Sequence, residues 1–491
     1  MISHPINEKK VPLNLASAEV FNEKIVSPWS QSAEPQDESV VVRYYKGLQK
    51  AHQYLERHDS ERTAPLFEPM KQPPELSEEF VALYSPAKMQ LAKMGEYKNR
   101  TLKLLNLMRD PATNVTKTNP SVVMIGRAVQ HILDTGENII ITVTTSGNKG
   151  IALRAAAERA ISLGLVEPSQ LRVVMMIPEN SSHKLRESLF TQDKELAALN
   201  PIIIYTGRDS VALKKIGREF QAAYHDEFFN DYHTRIWNSL HLDNYRVGDS
   251  TRAFIEYETL MRESPKESPS LRLHVQAVSS AYGLIGYHLG RSVLVEEGLT
   301  TWEENPAYFL VQHLATSDMV LYHYFGSFER KNLPNYLFDE ESGLYTQNQH
   351  AHFPEKTLAQ GEMLDTTFYT LKPPTSPIFS PIINKFGGGG IVVSLHECLE
   401  RYPIVRRMLQ QVDINISPDP RQVTEWSIIM ALTGVLNAID RNIIPSQAEI
   451  TVHGTGYYAA GLEYQPLNTQ LLPTLSDDNP VDKLKKIILE S

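Results

Sequence analysis

The sequence predicts an α/β protein of two or three domains, and three observations carry that expectation. Between residues 138 and 241, β-branched apolar runs alternate with helical stretches, the pattern of parallel strands covered on both faces. Two apolar runs, here and further on, end in small hydroxyl-bearing turns that open helices, at residues 145–150 and 279–283. At 491 residues the chain is also long enough for two or three well-buried domains.

Taken in order, residues 1–40 are polar and proline-punctuated and read as an N-terminal arm. The spacing of Val42, Tyr45, Leu48, Ala51 and Leu55 predicts an amphipathic helix. Thr63-Ala64-Pro65-Leu66 opens an extended segment, and residues 80–84 are a short strand candidate. Met94-Gly95-Glu96-Tyr97-Lys98-Asn99-Arg100-Thr101 reads as a turn leading into an apolar helix. Lys98 near its start runs against the helix dipole. A polar loop over residues 110–119 and a helix over 122–133 follow.

The strand of residues 138–144 then runs into Thr145-Ser146-Gly147-Asn148-Lys149-Gly150 and an alanine-rich helix. Such a turn gathers hydroxyls, an amide and free N–H groups at a helix N-terminus, a ready anion site. Strands over 171–178 and 201–205 alternate with helices over 182–198 and 210–224. Asn244-Tyr245-Arg246-Val247-Gly248-Asp249-Ser250-Thr251 leads into a helix over 252–262. The strand of 272–278 ends in Ser279-Ser280-Ala281-Tyr282-Gly283, a second anion-binding turn before a helix. It lacks both the Walker ending and the dinucleotide glycine spacing. A strand over 307–313 precedes a long irregular stretch, 332–361, expected to cross an active-site face. The four glycines 387–390 read as a flexible turn before a strand, because no helix follows them directly. An apolar helix over 427–439, a strand over 448–452 and the turn His453-Gly454-Thr455-Gly456 complete the pattern.

A net charge of -10 with no Lys/Arg run argues against nucleic acid as a partner. The single cysteine, Cys398, rules out an internal disulfide or multi-cysteine metal site and reads as a buried thiol on a helix. No metal site is expected. No apolar run reaches the ~20 residues that span a bilayer, and residues 1–5 lack the features of a signal peptide. A cytoplasmic protein without a membrane partner is expected.

In this order the segments resemble the β-family (fold-type II, tryptophan synthase β-like) enzymes that use pyridoxal 5'-phosphate, and threonine synthase most of all. The likeness runs from about residue 41 to 458. The 145–150 turn looks like that family's asparagine loop. The resemblance implies that Asn148 faces the cofactor ring while Thr145, Ser146 and Lys149 face the substrate. Gly95 to Thr101 is similar to the family's Gly-Ser-Phe-Lys-Asp-Arg segment, which would make Lys98 the catalytic lysine that holds the cofactor and shuttles protons, with Arg100 as a cationic neighbour. Thr63 to Leu66 sits where the family has Thr-Pro-Leu, and residues 244–251 look like its Tyr-Arg-x-x-Gly-Gln-Lys-Thr turn. Ser279, Ser280, Ala281, Tyr282 and Gly283 fall where the family cups the cofactor phosphate. His453 and Thr455 fall in the turn under the pyridine nitrogen, where a histidine replaces the usual hydroxyl.

A competing register places Asn119-Pro120-Ser121-Val122-Val123-Met124-Ile125-Gly126-Arg127 on the lysine segment, with Ile125 at the lysine position. It would make the chain a catalytically altered relative with a regulatory or binding role. An unrelated α/β enzyme taking a phosphorylated ligand is the other alternative. The resemblance implies β- or γ-elimination or replacement on an amino acid, by a homodimer. It also implies two α/β domains with the cofactor cleft between them, a large cofactor-binding domain of residues 41–109 plus 242–475 and a smaller mobile domain of 110–241, and a tail of 476–491.

Overall fold

The computed structural model describes residues 15–58, 65–69, 73–208, 212–241, 243–263, 271–446, 448–459 and 464–490. Residues 1–14 of the arm, and Thr63 and Ala64 of the extended segment, lie outside the described residues. In chain order the strands begin with β1 (Gln90–Tyr97), β2 (Arg100–Asn106), β3 (Asn138–Thr144), β4 (Leu171–Pro178), β5 (Ile202–Tyr205) and β6 (Thr234–Asn238). They continue with β7 (Leu271–Ala277), β8 (Ala307–His313), β9 (Leu337–Asp339), β10 (Leu344–Thr346) and β11 (Lys356–Thr357). The last are β12 (Gly388–Val393), β13 (Ala448–Gly454) and β14 (Thr474–Leu475).

Two sheets organise them. The larger has the order β1-β2-β13-β7-β8-β12, parallel except for the β1–β2 hairpin. The smaller is fully parallel, in the order β14-β5-β4-β3-β6. Period-two alternation sends successive side chains of β3 to opposite layers. Ile139, Ile141 and Val143 join one core, while Ile140 joins Val174, Met176, Ile203 and Phe220 in another. Both layers exclude water, which is why β3 reads as one unbroken apolar run. In the larger sheet Leu102, Ile450, Val452 and Ile391 pack under the helix Ser427–Asp440, whose residues are buried through Ile439.

Local chemistry overturns several expectations. The segment around Lys98 is a hairpin, not the start of a helix. Lys98 (φ 45°) and Asn99 (φ 62°) are both left-handed, the requirement of a two-residue primed turn, and Tyr97 pairs with Arg100 across it. Residues 80–84 lie in the helix Glu78–Tyr84, because the Ser77 hydroxyl accepts from the Phe80 amide and fixes its first turn. Three of the four glycines 387–390 lie within β12, where a Cβ on Gly388 would stand 1.8 Å from the Tyr308 carbonyl oxygen. They permit a close strand approach there. The stretch 332–361 carries the small antiparallel sheet β11-β10-β9.

The first and last described helices are docked. Phe21 stacks on Tyr257 with ring centroids 5.2 Å apart. From the segment read as a tail, the helix Pro480–Glu490 buries Leu484 and Ile488 in the outer core of the five-stranded sheet, which β14 extends. Cys398 is buried in the helix Leu395–Gln410, and burial pushes its thiol pKa up.

Candidate active site

The turns of residues 145–150 and 279–283 open onto one cavity of about 180 Å³ between the sheets. At the first, β3 stops at Thr144 and the helix Asn148–Ser162 begins at once. Gly147 makes the turn with φ +122°, and Thr145 Oγ1 accepts from the Gly147 amide at 3.0 Å and the Gly150 amide at 3.4 Å. At the second, Ala281 takes a left-handed φ of 52°, and the helix Tyr282–Glu296 starts with its first amides toward the cavity residues Ser279 and Ser280. Residues 367–370 form a further wall.

The structure brings together most of the residues expected from sequence. Thr145, Ser146, Asn148 and Lys149 line the cavity opposite Ser279, Ser280, Ala281, Tyr282 and Gly283. Thr455 lines it as well, and its buried Oγ1 finds no hydrogen-bond partner among the described residues. The Lys149 ammonium donates to the Ser239 carbonyl at 3.0 Å.

Lys98, Ile125 and His453 lie elsewhere. Lys98 projects from the hairpin turn with 57% of its side chain exposed, and its Nζ lies 2.6 Å from Asp440. Arg100 fastens that hairpin by donating to the carbonyls of Lys98, Ile444 and Pro445, and so does not face the cavity. Ile125 is fully buried in the middle of the helix Thr118–Thr135. His453 lies behind the cavity wall. Arg252 donates to its Nδ1 at 3.1 Å, which leaves Nε2 to donate to His274 Nδ1 at 2.9 Å. His274 Nε2 in turn donates to Glu256 at 2.9 Å. Burial, with the adjacent His274 and Arg252, holds the pKa of His453 well below the usual histidine value, so it is neutral.

Two lysines that line the cavity, Lys117 and Lys214, were not expected from the sequence. Lys117 occupies the position just before the helix Thr118–Thr135 and lines the cavity beside Thr116. Burial lowers its pKa, and the positive end of the helix likewise disfavours its charge. Lys117 and Lys149 stand over the same ring, Tyr245, at 5.3 and 4.9 Å from its centroid. Burial, then Lys214 and Lys117, depress Lys149 strongly. The available signal was Thr116-Lys117-Thr118-Asn119, directly before the apolar helix that precedes the asparagine-loop strand.

No Asp or Glu among the described residues lines the cavity, whereas Lys117, Lys149 and Lys214 all do. Burial lowers Lys214 to about 8 while its ammonium donates to Thr370 Oγ1 at 2.9 Å. Below that value the group is charged and attracts an anion, and above it the attraction fades. Inorganic phosphate or a phosphorylated ligand is therefore expected to bind more weakly as pH rises through 8. Lys214→Met should flatten that step, and an unchanged titration profile in the variant would contradict the assignment.

The architecture is that of the fold-type II enzymes. Threonine synthase from Escherichia coli is 12% identical to this chain and superposes with a TM-score of 0.56, covering 98% of this chain and 92% of that one. The PLP-bound threonine synthase from Brucella melitensis is 11% identical with a TM-score of 0.51, at 98% and 92% coverage. No curated protein matches the sequence. By its sequence the chain belongs to DUF6002, a family of unknown function, which residues 36–491 match.

Proposed function

We propose that the cavity binds pyridoxal 5'-phosphate through Lys117 and serves elimination, replacement or a related reaction at an amino-acid substrate. The observation that carries this reading is the placement of Lys117. A half-buried lysine, biased toward its uncharged and nucleophilic form, faces the asparagine loop and the 279–283 turn across one cavity. The cofactor-bound state of the Brucella threonine synthase, a protein of the same fold, supports it.

The residues present fit the cofactor. The amides and hydroxyls of residues 279–283 suit its phosphate, and the unpartnered Thr455 hydroxyl suits a ring atom. Asn148 lies at the asparagine-loop position. When bound, the cofactor supplies an electron sink for bonds at the substrate's α carbon. The chain's own part is to orient the substrate at Thr145 and Ser146, exclude water, and move a proton at Lys117 Nζ. Lys149 stands on the substrate side, where a second anionic group on the amino acid would offset the burial that depresses its pKa and hold it as a cation.

The test is borohydride reduction of the purified protein after addition of pyridoxal 5'-phosphate, followed by peptide mapping. The label is expected on the peptide carrying Lys117. A label on Lys98, or none on any lysine, overturns the proposal.

A further inference from the structure

Behind the asparagine loop, one buried cluster joins the parts of the chain that carry the two sheets. Lys184 ends the short turn Glu179–Lys184 after β4, and its side chain is 0% exposed. Its Nζ lies 2.7 Å from Asp365 Oδ1 and 3.1 Å from Glu425 Oε2, and it also contacts Thr367 Oγ1. These three partners come from the other side of the cleft. Asp365 and Thr367 lie between β11 and β12, and Glu425 lies just before the helix Ser427–Asp440.

The same groups hold the loop. Glu425 Oε2 accepts from Asn148 Nδ2 at 3.1 Å and from Thr367 Oγ1 at 2.7 Å. The Tyr458 hydroxyl donates to Asn148 Oδ1 at 2.5 Å, and Ser146 Oγ donates to the Thr367 carbonyl at 3.1 Å. A Cβ on Gly147 would stand 3.3 Å from Lys184 Cβ, so the lysine stem packs directly against the turn.

Burial opposes the Lys184 charge, but Asp365 and Glu425 more than offset it and its pKa is raised. Burial, and then Asp365, push the Glu425 carboxyl up. One ammonium thus lies between two carboxyl groups out of contact with water. Removing it would leave an uncompensated buried charge, which is far costlier than losing an exposed ion pair.

We propose that Lys184 is a positioning residue that bridges Asp365 and Glu425, bolts the asparagine loop to the opposite side of the cleft and so fixes the Asn148 amide at the cavity. Its ligand-affinity consequence rests on the cofactor reading above; its structural consequence does not.

The experiment compares Lys184→Met, Glu425→Gln and the double variant with the parent protein. In hydrogen exchange on the protein without ligand, Lys184→Met is expected to speed exchange of the amides of residues 145–150 by about tenfold or more while β3 and β4 stay protected. Pyridoxal 5'-phosphate should bind it about tenfold more weakly or worse. Glu425→Gln keeps an acceptor for Asn148 and leaves Lys184 paired with Asp365, so both readouts should stay within about threefold of the parent. Should Lys184→Met fail to fold, the double variant, with one fewer facing carboxyl, makes the same comparison.

Unchanged exchange at residues 145–150 overturns the proposal. So does a uniform loss of protection across both sheets, because that marks a purely structural role. If the parent protein takes up no pyridoxal 5'-phosphate, the functional reading fails while the exchange result still decides this one.

Discussion

Lys117→Ala is expected to abolish borohydride-stable attachment of pyridoxal 5'-phosphate and to lower turnover of any competent amino acid by roughly 10²–10⁴-fold from the lost proton transfer alone. Lys98→Ala should leave both measurements at the parent level. The contrast follows from position. Lys117 lines the cavity at a helix start, where burial weakens its hold on a proton. Lys98 lies on a hairpin tip, where its hydrogen bond to Asp440 strengthens that hold. A surface ion pair of this kind contributes little to stability, so Lys98→Ala should also keep its thermal midpoint. The pair of variants therefore separates the two lysines without knowledge of the substrate. Attachment lost in Lys98→Ala and kept in Lys117→Ala would refute the assignment.

The second large effect is structural and centres on Arg252, which is 0% exposed. Its guanidinium donates to Asp249 at 2.7 and 3.0 Å, Thr116 at 2.8 Å, His453 at 3.1 Å and Gln276 at 3.2 Å. Arg252→Met would leave the Asp249 carboxylate buried without its cation, a loss of about 3–5 kcal/mol. For a chain of 491 residues that corresponds to a fall of roughly 3–5 °C in the melting temperature. Because Arg252 holds Thr116 next to Lys117, and packs so near Gly283 that a Cβ there would stand 2.4 Å from Nη1, attachment at Lys117 should weaken as well. Differential scanning calorimetry checks the first effect, and a shift under 2 °C would show that the network carries little of the stability.

Much of this was legible in the sequence, for physical reasons. The 145–150 and 279–283 turns were readable because strand, small residues and helix follow one another without a break, and such junctions have few backbone solutions. Lys98 stood out because Tyr97-Lys98-Asn99-Arg100 resembles the family segment locally, while its backbone answers to a primed turn that more often uses Asn-Gly. Thr116-Lys117-Thr118-Asn119 lacks the Asp-Arg pair that follows the lysine in the family segment, so nothing marked it. His453 was misplaced because a strand-end residue turns to either face according to the last pleat. Val452 joins the larger-sheet core, His453 turns back toward Arg252, and Thr455 reaches the cavity once the chain has left β13. The Lys184 cluster joins residues 181 and 241 positions apart, a separation no local pattern encodes.

The cavity, which no Asp or Glu among the described residues lines, belongs to a chain of net charge -10, and this gives ligand capture two opposed ranges. From afar an anion meets a repelling body, while at the cavity mouth it meets lysines and two helix N-termini. Counter-ions at about 0.1 M shorten electrostatic reach to roughly 10 Å and mute the distant repulsion far more than the contacts inside the cleft. Association of a phosphorylated ligand should therefore lack the steep slowing with salt that marks a globally cationic, long-range funnel. An anion is expected to be captured at close quarters.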